Sequence, residues 1–482
     1  KPPKARWLLA LIGIVLLSTA YYLAVTTKEP VKALLVLFVA IVLVIIGSYL
    51  LFICGSVALC KLLQKNKKYY YKLNHFISVS SMSYRMKRNG ASLASICILS
   101  TGVLVMISSS LCLRIGEDES LHTRYPRDIE VGILTKDYDQ SIAAASYIEQ
   151  QVDAVLQASH QTRKNELAYN NLNFAALRQG GDISVKQYTE VSGTQYAESI
   201  DKLVMLNFVT LDTYEKITGT TETLGENEVL LCMFRGTFSG DALNIDDQFQ
   251  FHIKKQVPDF LESGDHAIAT YPTMYLVVPD GETMSRLYEY QYSVYGEEMA
   301  SSYQTWLGFN LDCNADTQME LEKQLEQQFA DNAQTHQEYF YEVNSLEMQR
   351  YSFYSLFGGL LYLGILLSVV FLFGTMLIMY YKQISEGYED QKRFEIMQKV
   401  GMTKKEIRRS IDSQLLTVFF LPLLLAGVHL AFAFPMIRRL LELFSLYNVG
   451  LFVTTTLVSF GAFALLYTIV YRLTAKAYYN IV

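Results

Sequence analysis

Six long apolar runs without a charged residue constrain the fold of this chain more than any other feature. In the sequence of 482 residues these runs are 7–27, 33–60, 89–113, 351–381, 413–437 and 443–471. A helix of about 20 apolar residues crosses a hydrocarbon core roughly 30 Å thick. The sequence therefore predicts a polytopic α-helical membrane protein with six transmembrane helices.

Positive charge predicts which loops face the cytoplasm, because short loops rich in Lys and Arg stay inside. Residues 61–90 carry eight positive charges and no carboxylate. We place this segment inside and count the spans alternately from it. Both termini and residues 382–412 are then predicted to be cytoplasmic, and residues 115–350 to lie outside the cell.

One predicted span is longer than a bilayer requires. The run 351–381 would be about 46 Å long as a helix, so we expect part of it to form a stalk. Residues 61–90 form either a helix in the inner interface or a simple linker. In chain order the predicted segments are two transmembrane helices (1–60), the basic segment (61–90), a transmembrane helix (91–114), the outer domain (115–350), the transmembrane and stalk helix (351–381), the elbow (382–412), two transmembrane helices (413–437 and 443–472) and a tail (473–482).

Helix and strand patterns alternate in the outer domain, which predicts one large extracellular α+β domain. Apolar runs and alternation predict strands at 128–134, 202–209, 227–234, 247–253 and 274–278. Amphipathic periodicity predicts helices at 141–158, 211–218, 282–291 and 315–330.

The outer domain is strongly acidic. Residues 116–350 hold 39 Asp and Glu against 15 Lys and Arg, a net charge of −24, whereas the rest of the chain carries 26 positive and 8 negative charges. This negative charge either serves solubility and topology or attracts cationic ligands over a long range.

Several residues have both a structural and a functional interpretation. Cys232 and Cys313 either form a disulfide or stay free, and we expect Cys232 in "EVLLCMF" to be a buried thiol. His429 lies inside the fifth span, where it either bonds between helices or relays protons. Five tyrosines of the outer domain either pack or grip a peptide: Tyr288, Tyr290, Tyr292, Tyr295 and Tyr303.

The elbow contains a charged, amphipathic stretch, "KRFEIMQKVGMTKKEIRR" at 392–409. Phe394, Met397 and Val400 recur three residues apart and form one apolar face of a helix. Gly401 is suited to end that helix, and a second helix then leads into the fifth span. The elbow either lies against lipid headgroups or offers its apolar face to a groove on a cytoplasmic partner.

The sequence "RFEIMQKVGMTKKEIRRSI" resembles the cytoplasmic signature of the FtsX/MacB superfamily of ABC transporter permeases. Arg393, Glu395, Ile396 and Gly401 match this pattern, and Phe394 is an insertion between the Arg and the Glu. The order of a span, a large outer domain, a stalk-like span, an elbow and two closing spans also agrees. The resemblance implies that the elbow binds the ATPase of a transporter through Arg393, Phe394, Glu395, Ile396, Met397, Val400 and Gly401.

Three segments resemble the bacitracin-type (Bce-type) peptide-antibiotic resistance permeases of Gram-positive bacteria: "SMSYRMKRNGASLASICILST", "QISEGYEDQKRFEIMQKVGMTKKEI" and "FFLPLLLAGVHLAFAFP". Those permeases have ten spans, with the outer domain between the seventh and the eighth. The six spans here resemble the fifth to the tenth, so the first four are expected to be absent from this sequence. The resemblance also implies a multi-pass protein of the plasma membrane.

The sequence contains no GxxxxGK[ST] loop, so we expect that this chain is not an enzyme and binds no cofactor of its own. ATP and Mg²⁺ are expected in a separate ABC ATPase, present as a homodimer, and no nucleic-acid partner is expected. The resemblance implies a permease that couples ATP hydrolysis to movement of the outer domain. That movement would free lipid-linked cell-wall precursors from antimicrobial peptides.

Two other functions and two ligand classes stay open at this point. The chain is alternatively a signalling partner of a membrane histidine kinase, or an FtsX-like scaffold that regulates a cell-wall hydrolase. Its ligand is expected to be a cationic peptide antibiotic, an undecaprenyl-pyrophosphate-type lipid, or both. A pyrophosphate would require a basic pocket in the acidic outer domain, for which the candidate contacts are Arg178, Lys254, Lys255 and Arg286.

Overall fold

Contacts between residues divide the chain into two compact units. The membrane unit comprises Lys1–Gly116, Leu356–Glu442 and Leu446–Val482. The sheet domain comprises Glu117–Ser355 together with Leu443–Ser445. The computed structural model describes residues 6–65, 73–190, 199, 202–269, 271–332, 339–399 and 404–481.

Helices form the membrane unit, and helices and strands together form the sheet domain. The helices are α1 (Trp7–Thr26), α2 (Pro30–Leu50), α3 (Ser56–Lys65), α4 (Leu73–Arg124), α5 (Tyr138–Ala158), α6 (Val185–Glu190), α7 (Leu211–Thr218), α8 (Asp265–Ile268), α9 (Gly281–Tyr295), α10 (Ala315–Asn332), α11 (Leu346–Lys399), α12 (Lys404–Glu442) and α13 (Val449–Ile481). The strands are β1 (Ile129–Thr135), β2 (Lys164–Gln179), β3 (Asp182–Ser184), β4 (Leu203–Thr210), β5 (Glu228–Phe234), β6 (Ala242–Ile245), β7 (Phe249–Gln256), β8 (Thr273–Val278), β9 (Tyr303–Asn310) and β10 (Phe340–Ser345).

Six helical stretches among the described residues are long and apolar enough to cross a membrane. They are Trp7–Thr26, Pro30–Lys65, Met86–Arg124, Leu346–Gln391, Val418–Glu442 and Val449–Lys476. The prediction of a polytopic α-helical membrane protein is therefore confirmed, as is the presence of a large α+β domain.

Small residues allow the first two helices of the membrane unit to pack closely. A Cβ atom at Gly13 of α1 would lie 2.9 Å from the Cβ atom of Leu50 in α2. One at Gly47 of α2 would lie 2.8 Å from Cγ of Leu17 in α1. Helices in lipid associate through such close contacts, because no hydrophobic effect drives them together there.

Helix α11 corrects the expected elbow. The sequence predicts that the fourth span ends at residue 381 and that a separate short helix follows, but α11 runs without a break from Leu346 to Lys399. Part of the reason is burial: Gln383, Glu386 and Asp390 lie on one face of α11 and are all buried. The helix therefore continues past the apolar run because its polar face packs inside the membrane unit.

The predicted corner after this helix lies between two described helices. Helix α11 ends at Lys399 and α12 begins at Lys404. The residues between them, including Val400 and Gly401, lie outside the described residues. Helix α12 then continues through Pro422 and Pro435 to Glu442.

The sheet domain is built around one mixed, ten-stranded sheet. The long strand β2 pairs with β9 through its first half and with β4 and β3 through its second half. Further pairings join β4 to β8, β8 to β5, β5 to β7, β7 to β6 and β6 to β3. Seven strands thereby close into a ring, and β9, β1 and β10 extend from it as an open sheet.

Apolar side chains fill the ring and cover one face of the open sheet. Inside the ring, Phe174, Phe208 and Leu276 belong to one buried cluster, which α9 completes with Met284 and Leu287. Helices α5 and α10 form a second buried cluster with β1, β9 and β10. The opposite face of the open sheet is left for other contacts.

All five strands and four helices predicted for this domain are present, with ends within four residues of the predicted ones. The sequence analysis missed β2, β3, β6, β9 and β10. It placed Leu443–Ser445 at the start of the sixth predicted span, whereas these residues belong to the sheet domain.

Candidate functional site

A cavity of about 540 Å³ lies in the sheet domain, on the face of the open sheet opposite α5 and α10. Strands β10, β1, β9, β2, β4 and β8 contribute side chains to its wall. The end of α4 and the segment 263–273, which contains α8, complete it. The cavity is thus enclosed by parts of the chain that are far apart in sequence.

Strand alternation decides which side chains reach the cavity. On β9, Gln304 and Trp306 line it, whereas Leu307 points into the cluster beneath α5 and α10. On β1, Glu130 lines the cavity, whereas Val131 is buried in that same cluster. A carboxylate and an indole therefore stand on the exposed face of an otherwise apolar pair of strands.

Two glycines give larger side chains room to lie flat on the sheet. A Cβ atom at Gly132 would lie 2.5 Å from the indole of Trp306, so this ring occupies the space above β1. A Cβ atom at Gly308 would lie 3.0 Å from Cγ of Arg127. Trp306 thus forms an aromatic floor beside Glu130.

Three carboxylates surround the cavity, those of Glu130, Asp265 and Glu342. Burial raises the pKa of Glu130 to about 8, the Asp265 carboxylate adds to the rise, and Arg127 opposes it. Burial also raises the pKa of Asp265, and hydrogen bonds from Tyr275 and Ser263 oppose that rise. Burial therefore favours the protonated form of Glu130 and Asp265, and a bound cation would favour their ionised form.

The one basic side chain among the described lining residues is already engaged. Arg124 donates from Nη2 to the Leu443 carbonyl oxygen at 2.7 Å and from Nε to Ser445 Oγ at 2.6 Å. Its guanidinium also lies 5.5 Å from the ring centre of Phe353. These two hydrogen bonds hold Leu443–Ser445 in the sheet domain.

Side-chain amides form the polar part of the wall. Asn173 donates to Gln304 Oε1 at 3.1 Å, and Asn171 donates to Asn207 Oδ1 at 3.0 Å. These bonds cross between β2 and its two neighbours, β9 and β4. They fix the amides in place, as a preorganised binding surface requires.

The pKa of Glu130 predicts how stability depends on pH. The unfolded chain releases this proton near pH 4.5, whereas the folded chain keeps it to about pH 8. The folded state binds more protons between these values, so its stability falls as pH rises through them. Replacing Glu130 with Gln removes this pH-dependent contribution to the free energy of unfolding. The melting temperature of Glu130→Gln should therefore rise relative to that of the native chain between pH 5 and pH 8. A fluorescence melting series measures it, and an equal gain in the exposed-residue control Glu149→Gln would contradict it.

The four basic candidates have separate described contacts. Arg178 lies 5.9 Å from the ring centre of Phe238, and Arg286 lies 5.6 Å from that of Phe249. Lys255 pairs with Glu222 at 2.7 Å, and Lys254 donates to the Thr223 carbonyl oxygen. None of the four is among the lining residues of the cavity. Their role in binding a pyrophosphate stays a prediction.

The tyrosine group is part of the packing. Tyr303 is buried and stacks on Tyr288 with ring centres 4.8 Å apart. Tyr290 donates to Asp246 Oδ2 at 2.8 Å, and Tyr295 donates to a backbone carbonyl. These contacts satisfy the packing interpretation.

Both cysteines of the sheet domain are free thiols. Cys232 is buried in β5, as expected, and Cys313 is partly exposed. The alternative of a disulfide between them is wrong.

His429 joins three helices of the membrane unit. Its Nδ1 lies 2.7 Å from the Tyr21 hydroxyl in α1, and its Nε2 lies 2.9 Å from Ser48 Oγ in α2. Both ring nitrogens therefore have partners on neighbouring helices, which fits the interpretation of His429 as an interhelical hydrogen-bonding residue.

Polar contacts also fasten the beginning of the elbow. Tyr478 of α13 donates to Asp390 Oδ2 at 3.0 Å, and Arg88 of α4 forms an ion pair with Glu389. These contacts hold α4, α11 and α13 together where the elbow begins. The helical backbone of α11 includes residues 393–397, while their side chains lie outside the described part of the chain.

A family model described as FtsX-like permease C-terminal matches residues 360–481, which include α12, α13 and most of α11. Residues 360–481 of the chain are thus similar to the C-terminal part of FtsX-like permeases. The chain is 22% identical over 451 residues to the ABC transporter permease protein YxdM of Bacillus subtilis (strain 168), which covers 89% of this chain and 62% of the relative. It is also 22% identical over 444 residues to the bacitracin export permease protein BceB of the same organism, with 89% and 62% covered.

A third relative, the uncharacterized ABC transporter permease YvcS of Bacillus subtilis (strain 168), is 22% identical over 490 residues, or 98% of this chain and 68% of the relative. The chain thus spans less than two thirds of the length of YxdM and BceB. The six candidate spans together with the FtsX-like match indicate a multi-pass membrane protein.

The sequence analysis missed the cavity residues. One signal was present, since Glu130 is the one carboxylate within strand β1, Ile129–Thr135, and Trp306 is one of two tryptophans in the chain. Neither residue belongs to a motif, and Asp265 is 135 positions away from Glu130 in the sequence. Only the folded sheet brings these residues to one cavity.

Proposed function

We propose that this chain is the permease subunit of an ABC transporter that gives resistance to peptide antibiotics directed at the cell wall. A separate ABC ATPase, acting as a homodimer with ATP and Mg²⁺, would supply the energy. The observation that carries the proposal is the FtsX-like match over residues 360–481, which contain the elbow. The similarity to BceB supports the substrate class.

The proposed arrangement places both termini and the elbow in the cytoplasm of a Gram-positive bacterium, with the sheet domain outside. Positive charge supports it, because the short segment 61–90 carries eight cations and no carboxylate. ATP hydrolysis by the ATPase bound at the elbow would move the sheet domain. This movement would free lipid-linked precursors from the drug. The elbow residues Arg393, Phe394, Glu395, Ile396 and Met397 are the proposed ATPase contacts.

Resistance tests this function. Removing the chain from its host should lower the inhibitory concentration of a bacitracin-type peptide, and removing the ATPase that co-purifies with the chain should lower it equally. The reason is that neither subunit transports alone. Complementation with the full chain is the positive control. Unchanged inhibitory concentrations for several cationic peptides in both deletions would refute the proposal.

A further inference from the structure

We propose that the sheet-domain cavity binds a cationic group, the ammonium or guanidinium of a basic peptide side chain, between Glu130 and Asp265. The cavity, at about 540 Å³, falls in the range of roughly 300–1,000 Å³ that ligand pockets occupy. All of its lining residues belong to the sheet domain, so the site does not require an ATPase partner. The inference rests on the proposed function only for the source of the ligand.

Charge is the first argument for a cationic ligand. The cavity wall holds three carboxylates, those of Glu130, Asp265 and Glu342, and one described basic side chain, Arg124. The Arg124 guanidinium is already bonded to a backbone carbonyl and to Ser445. A cation entering the cavity would meet three acids and one described basic lining side chain, and it would stabilise the ionised form of Glu130 and Asp265, which burial disfavours.

The aromatic wall is the second argument. Tyr125, Tyr169, Tyr271 and Trp306 line the cavity together with the carboxylates. Aromatic faces attract Lys and Arg head groups through cation–π contacts and accept their apolar stems. A site that combines carboxylates with aromatic rings suits a basic side chain better than it suits a small inorganic cation.

The same residues argue against a pyrophosphate in this cavity. A phosphate in this cavity would lie beside the acids Glu130, Asp265 and Glu342. Its negative charge would be repelled by any of these carboxylates that is ionised. The basic residues Lys254 and Lys255 are engaged elsewhere and do not line the wall. A lipid pyrophosphate would therefore have to bind at another place.

Trp306 provides a local readout of this site, because the chain has only two tryptophans. In a Trp7→Phe background, Trp306 is the only tryptophan and lies in the cavity wall. The full chain is placed in nanodiscs of uncharged phosphatidylcholine and titrated with a tetralysine peptide that carries a dinitrophenyl quencher. We expect saturable quenching of Trp306, and none from the same quencher on a tetraglutamate peptide.

Three glutamate-to-glutamine variants show which carboxylates contribute to binding of the probe. Glu130→Gln should raise the Kd of the tetralysine probe about tenfold, as expected for loss of a partly buried charge pair. Glu342→Gln at the exposed rim should raise it about threefold, and it tests the site even if the first variant folds poorly. Glu149→Gln changes the charge equally on exposed α5, across the sheet, and should leave the Kd within about twofold.

The outcomes separate this proposal from the proposed function. The absence of saturable quenching, an unchanged Kd in Glu130→Gln and Glu342→Gln, an equal effect of Glu149→Gln, or displacement of the probe by inorganic pyrophosphate would each overturn the site. Saturable binding by a chain that confers no resistance would overturn the proposed function and leave the site standing. Resistance conferred by a chain that shows no quenching would overturn the site and leave the proposed function standing.

Discussion

A chain with Phe394→Asp and Met397→Asp together should lose its ATPase while it still inserts into the membrane. Both side chains are expected on one apolar face of the elbow, where α11 is helical. A partner groove that buries them would have to bury two carboxylates instead, which costs several kcal/mol for each unpaired charge. Co-purification of the ATPase with the tagged chain should therefore fall to background, and resistance with it.

The matched control makes the same change of two charge units elsewhere on the helix. Lys392 and Lys399 lie seven residues apart, and the step of about 100° per residue puts both on the face opposite Phe394 and Met397. Lys392→Gln with Lys399→Gln should retain the ATPase and most of the resistance. Equal loss in both double variants would show that charge in the elbow, rather than its apolar face, decides the outcome. Retention in both would contradict a docking role for the elbow.

The strands that sequence reasoning could predict are those with continuous apolar runs. β5 and β8 read as "EVLLCMF" and "TMYLVV", and each is found within one or two residues of its predicted range. The sequence of β2, "KNELAYNNLNFAALRQ", contains four Asn residues, a residue type that favours turns, and so does not read as a strand. Asn171 and Asn173 are satisfied by amide bonds to neighbouring strands, which no local pattern could indicate.

The elbow shows a second limit of local reasoning. The polar residues Gln383, Glu386 and Asp390 look like the solvent face of a surface helix, but all three are buried. Asp390 receives a hydrogen bond from Tyr478, which lies 88 positions later in the chain. The apolar spans, by contrast, were predictable because a bilayer acts on composition alone.

The cavity combines both limits. Its acids come from β1, β10 and α8, and each is an ordinary surface carboxylate when only its neighbours in sequence are considered. Alternation along β1 could place Glu130 on the face opposite the apolar side chains. It could not show that residues of the segments 263–269 and 271–273 border that face and form a cavity with it. Function at this place is therefore a property of the sheet and not of a motif.

The net charge of the sheet domain leads to the second large effect, on the rate of ligand association. Residues 116–350 have a net charge of −24, and the remaining residues of the domain, 351–355 and 443–445, add none. The acidic domain should attract a cationic peptide, and the range of this attraction should shorten as the salt concentration rises. The Debye length falls from about 30 Å at 0.01 M to about 10 Å at 0.1 M. The association rate of the tetralysine probe should therefore fall about tenfold or more between low and high salt.

Stopped-flow quenching of Trp306 in the Trp7→Phe chain measures this rate directly. A peptide of one lysine and three serines with the same quencher is the control, because its smaller charge should make its association rate depend less on salt. Glu130→Gln should change mainly the dissociation rate, since short-range pairs act after encounter whereas the long-range field acts before it. The salt dependence of association should then be almost the same in Glu130→Gln as in the native cavity. A tetralysine association rate that stays constant with salt would contradict steering by the domain's charge and would leave the −24 charge as a feature of solubility alone.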